Sequence, residues 1–153
     1  MVFADILSSI QRDGLRVTAL AALGLNFMVI IVVGANARAL AVLVATAGGG
    51  LGMVALCALL DLKVNFLDFV ALPITLGLGV DYAINVAHRH REDGDAAATL
   101  RTSGSAVFVC SLTTIIGYGS LLISENLAIR GFGLASLIGE IACLATALVL
   151  VPA

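Results

Sequence analysis

The chain has 153 residues, of which 61% are hydrophobic and 12% charged, and its formal net charge is −2. Soluble domains carry about 25% charged residues, so this composition excludes an ordinary water-soluble protein and indicates a chain surrounded mostly by lipid. The eight Lys and Arg residues are too few for a typical nucleic-acid partner. The length suits one domain.

The first residues differ from the rest of the chain. Residues 1–14 combine Asp5, Arg12 and Asp13 with apolar side chains, which predicts an amphipathic segment lying at the membrane interface. Residues 15–153 contain five apolar runs, each near the ~20 residues that a spanning helix needs. The sequence therefore predicts an all-α, polytopic membrane protein with five transmembrane helices, at about residues 15–33, 39–60, 66–87, 105–123 and 131–151.

One long polar segment, residues 88–104, separates the third and fourth predicted helices. Asp93-Gly94 predicts a turn, and Asp95 is a candidate cap for a short surface helix. An unusually apolar soluble bundle is the alternative fold. Five consecutive apolar runs would leave such a bundle without a water-facing stripe, so we favour the membrane protein.

The third predicted helix carries a carboxylate, Asp81, inside its apolar stretch. Placing a carboxylate in hydrocarbon costs ~2.5–3.5 kcal/mol even on insertion scales, and such residues commonly serve as proton relays, ion sites or counter-ions. Tyr82 follows directly, while Gly77 and Asn85 share the helix face of Asp81. A carboxyl group beside hydroxyl groups can bind and release a proton. If its two protonation states prefer different helix arrangements, proton flow drives motion.

Small and polar residues also follow one face of the fourth and fifth predicted helices. The face on the fourth helix comprises Ser103, Cys110, Thr113, Gly117, Ser120 and Ser124. The face on the fifth helix comprises Gly133, Ser136, Glu140 and Cys143. We interpret Gly77 and Gly117 as helix-packing residues, since small residues let membrane helices approach closely. Thr113 is a candidate hydroxyl partner for Asp81, whereas Thr114 falls on the neighbouring face with Ser111 and Tyr118. Glu140 is either a further relay neighbour or a protonated hydrogen-bonding group.

Other chemistries fit the sequence less well. Intramembrane aspartyl proteases need glycine directly before the aspartate and a second intramembrane aspartate, but Val80 precedes Asp81 and no second central aspartate is present. On a helix, His88 and His90 point to different faces, which favours an interfacial basic patch over a metal site. Cysteines in apolar runs indicate packing residues. The sequence therefore predicts no enzyme, catalytic residue, metal or cofactor.

Three motifs resemble the resistance-nodulation-division (RND) superfamily, in particular its MMPL-type and hopanoid-exporter-like lipid transporters. Asp81-Tyr82 followed by Arg89-His90-Arg91-Glu92 is similar to the fourth helix of each half of those proteins. Residues 112–121 are similar to their fifth helix, and residues 139–152 to their sixth. The resemblance covers nearly the whole chain.

The resemblance implies one half-bundle of a proton-driven exporter of lipids or other hydrophobic substrates, without its porter domain. Asp81 and Tyr82 would be the proton relay, with Thr113 and Glu140 as candidate neighbours. Residue 1 would be extracytoplasmic, whereas Arg38 and residues 88–101 would be cytoplasmic. The expected location is the bacterial inner (plasma) membrane.

The same resemblance implies that the chain is a fragment, because that family's relay uses groups from two halves. Its partners would then be protons, membrane lipid or another hydrophobic substrate, and either the missing half or further copies of itself. A sterol-sensing-like module, which binds lipid without pumping, is the alternative function.

Overall fold

The structure, a computed structural model, describes residues 2–62 and 67–151, and within helices it leaves out the side chains of residues 2–12, 15, 69, 93, 96–98, 100, 102 and 103. Its helices are α1 (Val2–Val33), α2 (Ala37–Leu59), α3 (Asp68–Asp93), α4 (Ala96–Ser120, extended by a 3-10 turn, Leu121–Ile123) and α5 (Leu127–Leu150). No strand occurs in the described ranges. All five helices are long and apolar enough to cross a membrane, which confirms the predicted all-α, five-helix fold.

The first helix is continuous from Val2 to Val33. Its membrane-length part runs from Arg16 to Val33, so the residues ahead of it extend the same helix. The predicted interfacial position of residues 1–14 depends mainly on side chains outside the described ones and stays a prediction.

The polar segment predicted at residues 88–104 is helical in most of its length. α3 continues past residue 87 to Asp93, where the N–H of Gly94, in the left-handed conformation (φ 67°), donates to the carbonyl of His90. α4 then begins at Ala96, so the predicted short surface helix is its first part. A drop in hydropathy marks where a helix leaves the membrane, whereas the helix itself ends only at a residue that breaks it.

Asparagine side chains begin two of the helices. The side chain of Asn36 accepts from the backbone N–H groups of Arg38 and Ala39, at 3.1 and 3.2 Å. That of Asn126 accepts from Ala128 at 2.9 Å, so α5 begins four residues before its predicted start at 131. These caps satisfy donors that the first helical turn leaves unpaired.

α3 and α5 are central in the bundle. α3 contacts all four other helices, and α5 contacts α2, α3 and α4. The largest apolar cluster buries Val29 of α1, Val42 of α2, and Val80 and Val86 of α3. Large apolar side chains on the outside, such as Leu51, are exposed and suit a lipid environment.

The tightest helix contacts surround Cys143 of α5. A Cβ atom added to Gly49 of α2 would lie 2.5 Å from the Cys143 sulfur and 2.9 Å from its Cα, and one added to Gly79 of α3 would lie 2.9 Å from that sulfur. Lipid tails are as apolar as the side chains they contact, so helix association in a membrane depends on such close approach.

We expect Gly49→Ala to destabilise the bundle by about 1–3 kcal/mol, because the new methyl group would overlap backbone as well as side-chain atoms of α5. The matched control is Gly24→Ala in α1, where an added Cβ meets no atom within 4 Å. Thermal unfolding of the protein in detergent measures both variants. An equal midpoint for Gly49→Ala and the unsubstituted chain would contradict this packing.

Candidate functional site

Asp81 lies on the outer surface of the bundle at the middle of a membrane-length helix. The candidate span of α3 runs from Val70 to Glu92, and Asp81 is equally far from both ends. Its side chain is exposed, and its backbone carbonyl accepts from the Asn85 side chain at 2.8 Å. The carboxylate therefore faces whatever surrounds the bundle at mid-depth.

Tyr82, the next residue, points into the bundle. It is buried, and its hydroxyl donates to the Oε1 atom of Glu140 on α5 at 2.5 Å. Glu140 has 0% exposure. An α-helix has 3.6 residues per turn, so consecutive residues face different sides. The adjacent residues Asp81 and Tyr82 therefore place one side chain on the outer surface and the other in the interior.

Further polar groups share helix faces with this pair or with its partner Thr114: buried Ser136 lies one turn from Glu140 on α5, and buried Ser111 lies one turn from half-buried Thr114 on α4. We name Tyr82, Ser111, Thr114, Ser136 and Glu140 the inner polar cluster. The Oε2 atom of Glu140 and the hydroxyls of Ser111 and Ser136 are buried and have no hydrogen-bond partner among the described residues. Unpaired buried polar groups are costly, most of all an ionised one. The Tyr82 hydroxyl therefore supplies the one hydrogen bond that the Glu140 carboxyl makes with a described residue.

The two threonines of α4 take different positions. Thr113, the candidate partner of Asp81, is exposed, and its hydroxyl donates to the Cys110 carbonyl at 2.7 Å. The Thr114 hydroxyl donates to the same Cys110 carbonyl, at 3.2 Å, and its side chain also interacts with the Tyr82 hydroxyl. The structure thus joins Tyr82, Thr114 and Glu140 and leaves Asp81 and Thr113 on the surface. The sequence signal for Thr114 is its helical spacing to Ser111 and Tyr118.

The glycines assigned to helix packing do not contact other helices closely. A Cβ added to Gly77 or Gly117 would meet no atom within 4 Å. Close approach inside the bundle occurs instead at Gly49, Gly79 and Gly139. The assignment of Gly77 and Gly117 to helix packing therefore stays a prediction.

The three polar stripes predicted from the sequence divide into one inner and two outer surfaces. The α5 residues Gly133, Ser136, Glu140 and Cys143 are all buried. On α3 and α4, by contrast, six residues are exposed, and we name them the outer polar face: Asp81, Asn85, Cys110, Thr113, Gly117 and Ser120.

The two histidines contact different neighbours. His88 Nδ1 lies 3.7 Å from a Glu92 carboxylate oxygen, whereas His90 Nδ1 lies 3.4 Å from the Thr99 hydroxyl. Among the residues that the structure describes, no group of three or more His, Cys, Asp or Glu can hold a metal ion.

We expect Tyr82→Phe to lower stability by about 1–3 kcal/mol, because it leaves the buried Glu140 carboxyl without its donor. In a double-mutant cycle with Glu140→Leu, the coupling energy should be about 0.5–3 kcal/mol. Denaturant unfolding in detergent provides the four stabilities. Tyr118→Phe is the control, since it removes the hydroxyl of the chain's other tyrosine outside this pair. Additive effects would contradict the Tyr82–Glu140 bond.

Parts of the chain are similar to two known proteins. Over 77 residues, 50% of this chain, it is 35% identical to the hopanoid transporter HpnN of Rhodopseudomonas palustris (strain TIE-1), and it spans 9% of that protein. Over 114 residues, 69% of this chain, it is 27% identical to MJ1562 of Methanocaldococcus jannaschii, a protein described as a membrane protein, of which it spans 28%. No family model and no solved structure matches the chain. These partial similarities and the five membrane-length helices indicate an integral membrane protein similar to RND-type transporters.

Proposed function

We propose that the chain is a transmembrane module of a proton-motive-force-driven exporter of lipids or other hydrophobic molecules, of the RND/MMPL type. One observation carries the proposal: Asp81 is exposed at the middle of its span while the adjacent Tyr82 is bonded to the buried Glu140. In this proposal Asp81 binds and releases the proton, and Tyr82 and Glu140 connect it with the interior.

The exposed position of Asp81 supports a protein partner at this surface. Facing lipid at the centre of the bilayer would cost the carboxylate ~2.5–3.5 kcal/mol or more. The remaining members of the outer polar face are small or polar, which suits close packing of further helices. We infer that a second transporter half, or a second copy of this chain, covers the face, as transporters built from repeats place their coupling sites between repeats.

The position of α3 supports coupling of the proton to movement. α3 carries Asp81 and contacts every other helix. Protonation removes the charge at Asp81, so states that bury its side chain against a partner become less costly. A shift of α3 then reaches the inner polar cluster through Tyr82.

A hydrophobic substrate is supported by the hopanoid transporter that half of the chain resembles. The bacterial inner membrane is the location that this similarity favours. The exposed arginines Arg38, Arg89, Arg91 and Arg101 lie near one set of helix ends. Four other basic residues, Arg12, Arg16, Lys63 and Arg130, belong to the opposite side, so the charge balance alone does not orient the chain. We assign the Arg89–Arg101 end to the cytoplasm from the resemblance to RND-type transporters, and the density of this cluster agrees with that assignment.

A lipid-binding module that does not pump is the second candidate function. It is favoured by a cavity of about 450 Å³ between α2, α3 and α5. Asp68 supplies the carboxyl group of its otherwise mostly apolar lining, which includes Met53, Leu72 and Leu127. Such a cavity fits the apolar part of a lipid.

Asp81→Asn distinguishes the two functions. The chain is reconstituted in vesicles with a pH gradient, proton flux is followed with an enclosed pH-sensitive dye, and lipid affinity is measured in parallel. We expect the substitution to reduce proton flux to the level of protein-free vesicles, because asparagine cannot take up the proton at this site. Asp61→Asn is the control: Asp61 lies outside the candidate spans, and its φ of 52° suits asparagine.

Unchanged flux in Asp81→Asn vesicles would refute the relay. If neither protein conducts protons and both bind lipid equally well, copies of this chain alone do not form the relay, and the lipid-binding module is the better description of the isolated chain. Far-UV circular dichroism of both variants establishes that each is folded.

A further inference from the structure

A small pocket lies where α1, α2 and α3 meet at one end of the bundle. Its volume is about 90 Å³. The lining combines three basic side chains with an apolar floor: Arg38, His88 and Arg91, and Val32, Val33, Ile84 and Ala87. Since these residues come from three helices, only the folded bundle brings the basic groups together.

The two arginines of the pocket are available to an anion. The nearby carboxylate of Glu92 contacts other basic groups: its Oε2 atom lies 3.1 Å from an Arg89 guanidinium nitrogen, and its Oε1 atom lies 3.7 Å from His88 Nδ1. Neither Arg38 nor Arg91 forms an ion pair with a described residue. Both arginines are exposed, and the N-terminus of α2 beside Arg38 adds a partial positive charge.

The pocket lies at the depth of lipid headgroups. The candidate spans of α1, α2 and α3 reach this end of the bundle at Val33, Ala37 and Glu92. Arg38 and Arg91 are therefore next to the span ends, where long basic side chains meet phosphate groups.

We infer that this pocket binds the phosphate group of an anionic phospholipid, with Arg38 and Arg91 as the two cationic contacts and His88 as a further donor. Basic pockets between transmembrane helices bind anionic lipid headgroups in this way. The inference is independent of the proposed transport function, because it involves neither the outer polar face nor the inner polar cluster.

The apolar floor favours a lipid over free phosphate. Ile84 and Ala87 lie one helical turn before His88 and Arg91, toward the centre of the span, and Val32 is exposed. Met28, one turn further into the membrane on α1, is exposed as well. An acyl chain can therefore continue from the headgroup along α1, whereas inorganic phosphate would leave these surfaces uncovered.

The test measures binding of phosphatidylglycerol to the purified chain in neutral detergent by native mass spectrometry. Phosphatidylcholine and inorganic phosphate are the comparison ligands. We expect Arg38→Gln/Arg91→Gln to weaken phosphatidylglycerol binding about tenfold or more, since each basic residue near the surface contributes to attraction of an anionic lipid. Arg101→Gln/Arg130→Gln is the matched control, because it removes the same charge from two exposed arginines outside the pocket.

Equal weakening in both double variants would overturn the inference, since diffuse charge attraction would then explain binding. Phosphatidylcholine bound as tightly as phosphatidylglycerol would also overturn it. Inorganic phosphate bound as tightly as phosphatidylglycerol would overturn the inference as well, because the pocket would then be a site for the free anion. Size-exclusion chromatography and circular dichroism of each variant confirm that the compared proteins are folded.

Discussion

The contact of α2, α3 and α5 around Cys143 holds the bundle together. In lipid the helices gain little from burying apolar surface, so their association depends on how closely their backbones approach. Gly49 and Gly79 allow that approach, since any side chain there would overlap Cys143. The same contact brings α3 and α5 into register and sets Tyr82 opposite Glu140.

The helices themselves could be predicted from hydropathy, because five apolar runs of membrane length leave little choice of secondary structure. Their ends were harder to predict. α3 and α4 continue into the polar segment at residues 88–104, where composition changes with the solvent while the backbone remains helical. Only two residues, Gly94 in the left-handed conformation and Asp95, separate the two helices at this end.

Helical spacing predicted which polar residues share a face, but not which faces point inward. The stripe of Glu140 is buried, while those of Asp81 and Thr113 are exposed. All these faces contain similar small and polar residues between apolar ones, so the sequence offers no contrast that would orient them. Thr113 and Thr114 illustrate the difficulty, because they are adjacent and chemically identical, yet Thr113 is exposed while Thr114 interacts with Tyr82.

The central position of α5 has a consequence for biosynthesis. α5 follows the other four helices in the chain, yet it supplies the surface against which α2, α3 and α4 pack. During synthesis the earlier helices enter the membrane with their glycine faces uncovered and the Tyr82 hydroxyl lacking Glu140. They are held together only by their mutual contacts until α5 is inserted. Nascent chains halted before α5 are therefore the form in which membrane quality-control proteases find this protein most accessible.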